Sequence, residues 1–309
     1  MMSLVLLEVS YNRPKFSACA TWNPNAITLA DNTTFRGRSS GLFVTTINTV
    51  YAAGLDLPTI LVWPQGSVNV TQRILTSLSI PYRIFVTTNG DFYAGISIVG
   101  HRVEKWAKNA TNSSTVMFIN RPCNGLFVDV YDSLYCSLWA DHRVTMKTVD
   151  SDANTLVIVA GTGTNGSASN MLTNPGGIFV DIELSLYVAD NGNNRVQLFR
   201  FGQLNGSTVA GNGAPGTITL SGPAQVILDG NGYVFIADHG VPRIVGSGPN
   251  GFRCIAGCTG NLGPAANQFN RPYDLSFDRD GNLFVTDMYN SRLQKFMLAR
   301  NFCGEFPRI

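Results

Sequence analysis

Three histidines, six cysteines and a recurring Asp/Arg pair are the residues of this 309-residue chain whose types could do chemistry. His101 and His142 each precede an arginine, Arg102 and Arg143, and His239 follows Asp238. Imidazoles from three separate segments could hold a zinc ion with an open position, which activates water or polarises a carbonyl. That requires their loops to lean together; the bland reading is three unrelated loop histidines. Asp190/Arg195, Asp238/Arg243 and Asp287/Arg292 recur at a spacing of five residues. A ring of ligands would use such a repeat. A structural role fits it better, because a feature copied along a chain usually fastens each copy, here by a charge-assisted hydrogen bond across a loop. No Ser/His/Asp or Cys/His set can be placed in one cleft. The expectation is no catalytic residue, no cofactor and no metal, with His101, His142 and His239 as the metal candidates.

The cysteines pair readily. Cys254 and Cys258 bracket a loop of three residues, Cys123 and Cys136 flank one hairpin, and Cys19 and Cys303 stand at opposite ends of the chain. Disulfides need Cα atoms about 4.4–6.8 Å apart, and all three pairings can meet that. A metal site is the alternative, but no Cys-x-x-Cys occurs and no histidine lies in register with a pair. Disulfides imply an oxidising compartment. Six Asn-x-Ser/Thr sequons, at Asn32, Asn69, Asn109, Asn112, Asn165 and Asn205, tilt the reading toward a secretory route.

The elements that must position these residues repeat. Thr59, Arg102, Arg143, Arg195, Arg243 and Arg292 each open a short apolar run, at intervals of 43, 41, 52, 48 and 49 residues. Ahead of each lies an inner run such as Gly125-Leu126-Phe127-Val128 or Gly177-Ile178-Phe179-Val180, then a tight turn, then a second run such as Leu186-Tyr187-Val188-Ala189. Asn89-Gly90, Asn231-Gly232 and Asp280-Gly281 supply hairpin turns. A fourth run follows in most units, as at 114–119, 155–160, 207–212 and 252–257. A period in the forties with several strands per unit is the mark of a propeller blade. The last unit lacks its fourth strand, and 27–31 is an orphan that matches it, so the N-terminus closes the ring on 292–298 and removes the open edges. The fold expected is all-β: a six-bladed propeller.

The unit at 177–197 resembles the NHL repeat, strongly in units four to six and fairly in unit three. In the first two units Thr45 and Thr87 replace the Asp that ends the inner strand, and Thr59 replaces the Arg. The resemblance spans about 22–303 and implies a six-bladed propeller, but no single activity. NHL-like propellers include protein-binding, RNA-binding and occasionally catalytic modules. The domain reading is therefore 1–21 as an N-terminal segment, 22–303 as the propeller and 304–309 as a tail. In the first segment the Leu4–Leu7 cluster lacks a basic flank and is interrupted by Glu8, giving an incorrectly started terminus or a truncated secretion signal. No run approaches the eighteen apolar residues of a membrane span.

A formal charge of +2 and only 14% charged residues leave no nucleic-acid footprint. Arg36, Arg38, Lys105 and Lys108 are scattered rather than clustered. The function expected is a monomeric, secreted or ectodomain binding scaffold for a protein or glycan. The alternatives implied by resemblance are a metal-dependent lyase or hydrolase like the amidating-lyase propellers, and an adaptor related to ubiquitin ligases that carry this propeller.

Overall fold

The computed structural model describes residues 9–67, 69–70, 72–75, 80–97, 100–149, 154–214 and 216–303. The apolar cluster at 4–7, Glu8 and the tail at 304–309 lie outside the described residues.

Six four-stranded antiparallel sheets surround one axis. Blade 1 runs Ser39–Val44, Val50–Gly54, Thr59–Trp63 and Gln72–Leu75 from the axis outward; blade 2 runs Pro81–Val86, Phe92–Ile96, Arg102–Trp106 and Ser114–Phe118. Blade 3 is Cys123–Val128, Ser133–Leu138, Arg143–Thr148 and Val157–Ala160, and blade 4 is Pro175–Val180, Leu186–Asp190, Arg195–Phe199 and Ser207–Gly211. Blade 5 is Pro223–Leu228, Val234–Asp238, Arg243–Gly246 and Arg253–Ala256. Blade 6 takes Pro272–Phe277, Leu283–Asp287 and Arg292–Phe296 from the C-terminus and its outer strand, Ile27–Ala30, from the N-terminus. Each of the six residues used as register marks opens a third strand.

Closure follows the expected pairing. Ile27 faces Lys295 and Thr28 faces Gln294 in an antiparallel ladder, so the last blade has a covered edge. A second short ladder, Thr21–Trp22 with Leu298–Arg300, lies beside it, and Cys19 bonds Cys303 with Cα atoms 5.2 Å apart. Cys123–Cys136 and Cys254–Cys258 also form, at 5.4 and 5.7 Å.

Burial explains the composition of each strand. Inner strands are covered on both faces by neighbouring blades, so they are buried almost throughout, as in Ser39–Val44 where all six residues are buried. Outer strands are more exposed and grade from exposed to buried along their length, as in Arg253–Ala256. Phe43, Phe85, Phe127 and Phe179 stand at one position of successive inner strands, with adjacent ring centroids 4.8, 4.9 and 5.2 Å apart. Burying each such ring contributes about 2–3 kcal/mol.

The hairpins after the inner strands share one device. Asp129, Asp181, Asp229 and Asp278 each accept two backbone N–H bonds at 2.8–3.0 Å through one carboxylate oxygen, holding the turn closed. In blade 1 the weaker Thr45 hydroxyl takes this place, accepting from Thr49 N at 3.1 Å. In blade 2 the Thr87 hydroxyl donates instead, to Asn89 Oδ1 and the Asp91 carbonyl.

Candidate functional site

The Asp/Arg pairs sit where the second strand turns into the third. Asp190 Oδ2 accepts from Arg195 Nε at 2.7 Å and its other oxygen accepts from Thr173 N at 2.7 Å. The guanidinium then donates to the Ser167, Ala168 and Met171 carbonyls, in the linker entering blade 4. Asp287/Arg292 repeats this arrangement with the Pro264, Ala265 and Gln268 carbonyls, and Asp238/Arg243 repeats it with Thr219. The three carboxylates are fully buried, and burial pushes each carboxyl above its ordinary value against the pull of its arginine. The arginines satisfy linker carbonyls that the sheets leave unpaired. The geometry is that of a clip.

The axis carries a second charged group. Inner-strand residues Gly41, Arg83, Gly125, Gly177, Gln225 and Asp274 occupy one position around the ring, within or at the end of a register shift found in every blade. That irregularity re-aims the strand at the channel. Arg83, 2% exposed, reaches across it from blade 2: Nη1 meets Asp274 of blade 6 at 2.5 Å, Nε donates to the Asn124 carbonyl of blade 3 at 2.7 Å, and Nη2 donates to the Ala224 carbonyl of blade 5 at 3.1 Å. Its guanidinium lies over the Tyr273 ring at 4.3 Å. Asp274 also accepts from Leu42 N of blade 1 and from Gln225 Nε2. The glycines leave the room this requires; a Cβ on Gly41 would stand 3.0 Å from Arg83 Cα.

At the hairpin end the chain before the ring seals the same axis. Tyr11 packs against Phe127 and Phe179 at 5.4 and 4.9 Å and donates to the Val180 carbonyl. Burial pushes its phenol up to about 12, so it stays neutral. Asn12 donates to the Val44, Thr45 and Phe277 carbonyls, and Phe16 enters an aromatic cluster with Trp22, Phe235 and Phe277. From Val9 onward the N-terminal segment packs as a strap across the propeller.

The histidines are not brought together. His142 Nδ1 accepts from Asn174 N, His239 Nδ1 lies 3.2 Å from the Pro272 carbonyl, and His101 sits at the entry to the third strand of blade 2. Burial holds the His239 imidazole below its ordinary value. Among the described residues no three His, Cys, Asp or Glu side chains group as a metal site.

Open space lies elsewhere. A groove of about 610 Å3 runs between blades 1 and 2 at the hairpin end. Its floor is Tyr51, Val86, Phe92 and Trp106, with the last two rings stacked at 4.6 Å. Its rims are the hairpins at 45–49 and 87–90, the outer-strand residues Gln72 and Arg73, and the loop at 107–111. These are the two blades whose hairpins carry Thr45 and Thr87.

Residues 269–296 match the family model for the NHL repeat. That match falls on blade 6, with its Asp287/Arg292 clip, in a ring of six such sheets. The chain is a six-bladed β-propeller whose sixth blade matches the NHL repeat. No curated protein matches it. Among solved structures, a protein of unknown function from Bacteroides thetaiotaomicron aligns with a TM-score of 0.70 at 14% identity, over 94% of this chain and 75% of the other. An auxiliary nutrient binding protein from the same organism aligns at 0.67 and 14%, over 94% and 76%. A streptogramin B lyase aligns at 0.60 and 13%, over 88% and 96%. At these identities the likeness is one of fold.

Other features fall around the ring as follows. All six sequon asparagines are exposed, and Asn109 stands on the groove rim. Among the described residues no cysteine is free and no helix is long and apolar enough to cross a membrane. The axial pin and the groove were missed in the sequence. A signal for the pin existed: three blades carry Gly at its position while the others carry Arg83, Gln225 and Asp274.

Proposed function

We propose that this NHL propeller is a non-catalytic binding scaffold, working in an extracellular, oxidising setting, that recognises a protein or glycan ligand in the groove between blades 1 and 2. The observation that carries this reading is where open space lies. The axis is occupied by the Arg83–Asp274 pin, by four phenylalanine rings and by the strap at 11–16. The groove, at about 610 Å3, has the size and the apolar floor with polar rims that ligand sites share. It also falls between the two copies that depart furthest from the repeat, where sequence is released from holding a blade together. Three disulfides and six exposed sequons support the secretory route.

The test uses a panel of purified glycans and extracellular protein domains, probed with the disulfide-bonded protein and with Thr88→Trp. Thr88 is exposed on the groove rim, so an indole there fills the groove without entering the core. Retention of a ligand by the parent and its loss by the variant is the expected result. Equal retention by both proteins places recognition on another face and removes the proposal.

A further inference from the structure

Every hairpin of blades 3 to 6 carries a carboxylate at the end of its inner strand, namely Asp129, Asp181, Asp229 and Asp278. The furrows between blades 2 and 3, onward around the ring to 6 and 1, are each flanked by at least one of them. Only the furrow between blades 1 and 2 is flanked by Thr45 and Thr87 alone. Among the described residues no Asp or Glu lines the groove there, while Arg73 stands on the blade 1 rim and Lys108 on the blade 2 rim. Both cations are exposed and neither forms an ion pair among the described residues; Arg73 meets only the Thr34 carbonyl, at 3.4 Å. The nearby carboxylate of Asp91 is already held by Lys105 at 2.8 Å and by the Lys108 N–H at 2.9 Å.

The remaining lining is neutral and hydrogen-bonding. Threonine hydroxyls come from both hairpins, Asn89 and Asn109 add amides, and Tyr51 lies half-buried on the floor. Burial raises the Tyr51 phenol, which keeps it a neutral donor and acceptor. Hydroxyls and amides over aromatic rings suit a polyhydroxylated ligand, whose ring faces are apolar and whose edges carry O–H groups. Two uncompensated cations on opposite rims add a preference for negative charge.

Resting on the binding reading above, we infer that the groove takes an acidic oligosaccharide, with uronate carboxylates or sulfate esters meeting Arg73 and Lys108. An acidic peptide offers the same charge. The saccharide is favoured because threonine hydroxyls and asparagine amides from both walls outnumber the two cations, a lining that suits a ligand carrying many hydroxyls among its charges.

The experiment measures affinities for short hyaluronan, heparin-derived and galacturonate oligosaccharides, with dextran and galactan oligosaccharides of equal length as neutral controls. An acidic peptide of similar charge is run beside them. Protein is used with its N-glycans and again after their enzymatic removal, since a glycan on Asn109 would itself cover the groove. At least one acidic saccharide is expected to bind about tenfold or more tighter than the neutral controls, and to weaken with added salt. Arg73→Gln with Lys108→Gln is expected to remove about tenfold of that affinity and to flatten the salt dependence. Thr88→Trp abolishes it. Equal affinity for neutral and acidic saccharides overturns the charge assignment. Tighter binding of the acidic peptide, or no saccharide binding in either glycan state, overturns the ligand class. In all three cases a panel ligand lost on Thr88→Trp leaves the groove itself standing. Acidic-saccharide binding that survives both sets of substitutions overturns the site.

Discussion

Arg83 is the residue on which the ring's centre turns. Its pairing with Asp274 is 2% and 3% exposed, and it links blade 2 to carbonyls of blades 3 and 5. A buried pair contributes little when compared with an apolar substitute, but removing one partner strands the other charge. Arg83→Met is therefore expected to cost about 3–5 kcal/mol in chemical denaturation. A loss below about 1 kcal/mol would mean that water or another cation serves Asp274. This group was only half legible in the sequence. The residue types were plain, but Arg83 and Asp274 become neighbours only after six sheets close into a ring, and no local pattern carries that distance. The clips were legible for the opposite reason: Asp190 and Arg195 are joined by one loop, so their spacing states their geometry. For the histidines, spacing placed each beside a turn and could not say which way the turns lean.

Among elements, the blades divide into two kinds. Blades 4 to 6 have buried clips whose carboxyls burial raises. A carboxyl raised on folding supports the folded state fully below its unfolded value, and that support is lost as pH rises through the raised value. Blades 1 and 2 hold carboxyls of the other sign. The Arg38 guanidinium lowers Asp56; at Asp91, burial is outweighed by the Lys105 ammonium and the Lys108 N–H. Their support is present above the ordinary carboxylate range and is lost as pH falls through the lowered values. Acidification from about pH 5 to about pH 3 is thus expected to loosen blades 1 and 2 first. Hydrogen exchange should rise earliest in Val50–Gly54 and Phe92–Ile96, while Leu186–Asp190 and Leu283–Asp287 stay protected. Earlier exchange in blades 4 to 6 would contradict the assignment. Strand order and register were legible here because the third-strand marks recur and inner strands are apolar. The hairpin carboxylates were visible as a repeated Asp, but their work, capping turn N–H groups, needed the backbone.

At the scale of the whole molecule the chain closes twice, once by pairing Ile27–Ala30 with Arg292–Phe296 and once by the bond between Cys19 and Cys303. The orphan strand announced the first closure and the placement of two cysteines announced the second. What the sequence could not announce was the strap, since 9–20 has no strand periodicity and its anchors, Tyr11, Asn12 and Phe16, find partners from five blades. Strap and pin together occupy the axis, which supports the proposal that recognition lies at the groove between blades 1 and 2. Hydrogen exchange with and without the tightest ligand of the panel tests this most directly. The account predicts protection at 45–51, 72–74, 87–90 and 106–111, on both walls of the groove, with the axial mouth unchanged. Protection confined to Arg83, Asn124, Tyr273 and Asp274 around the axial pin would contradict it.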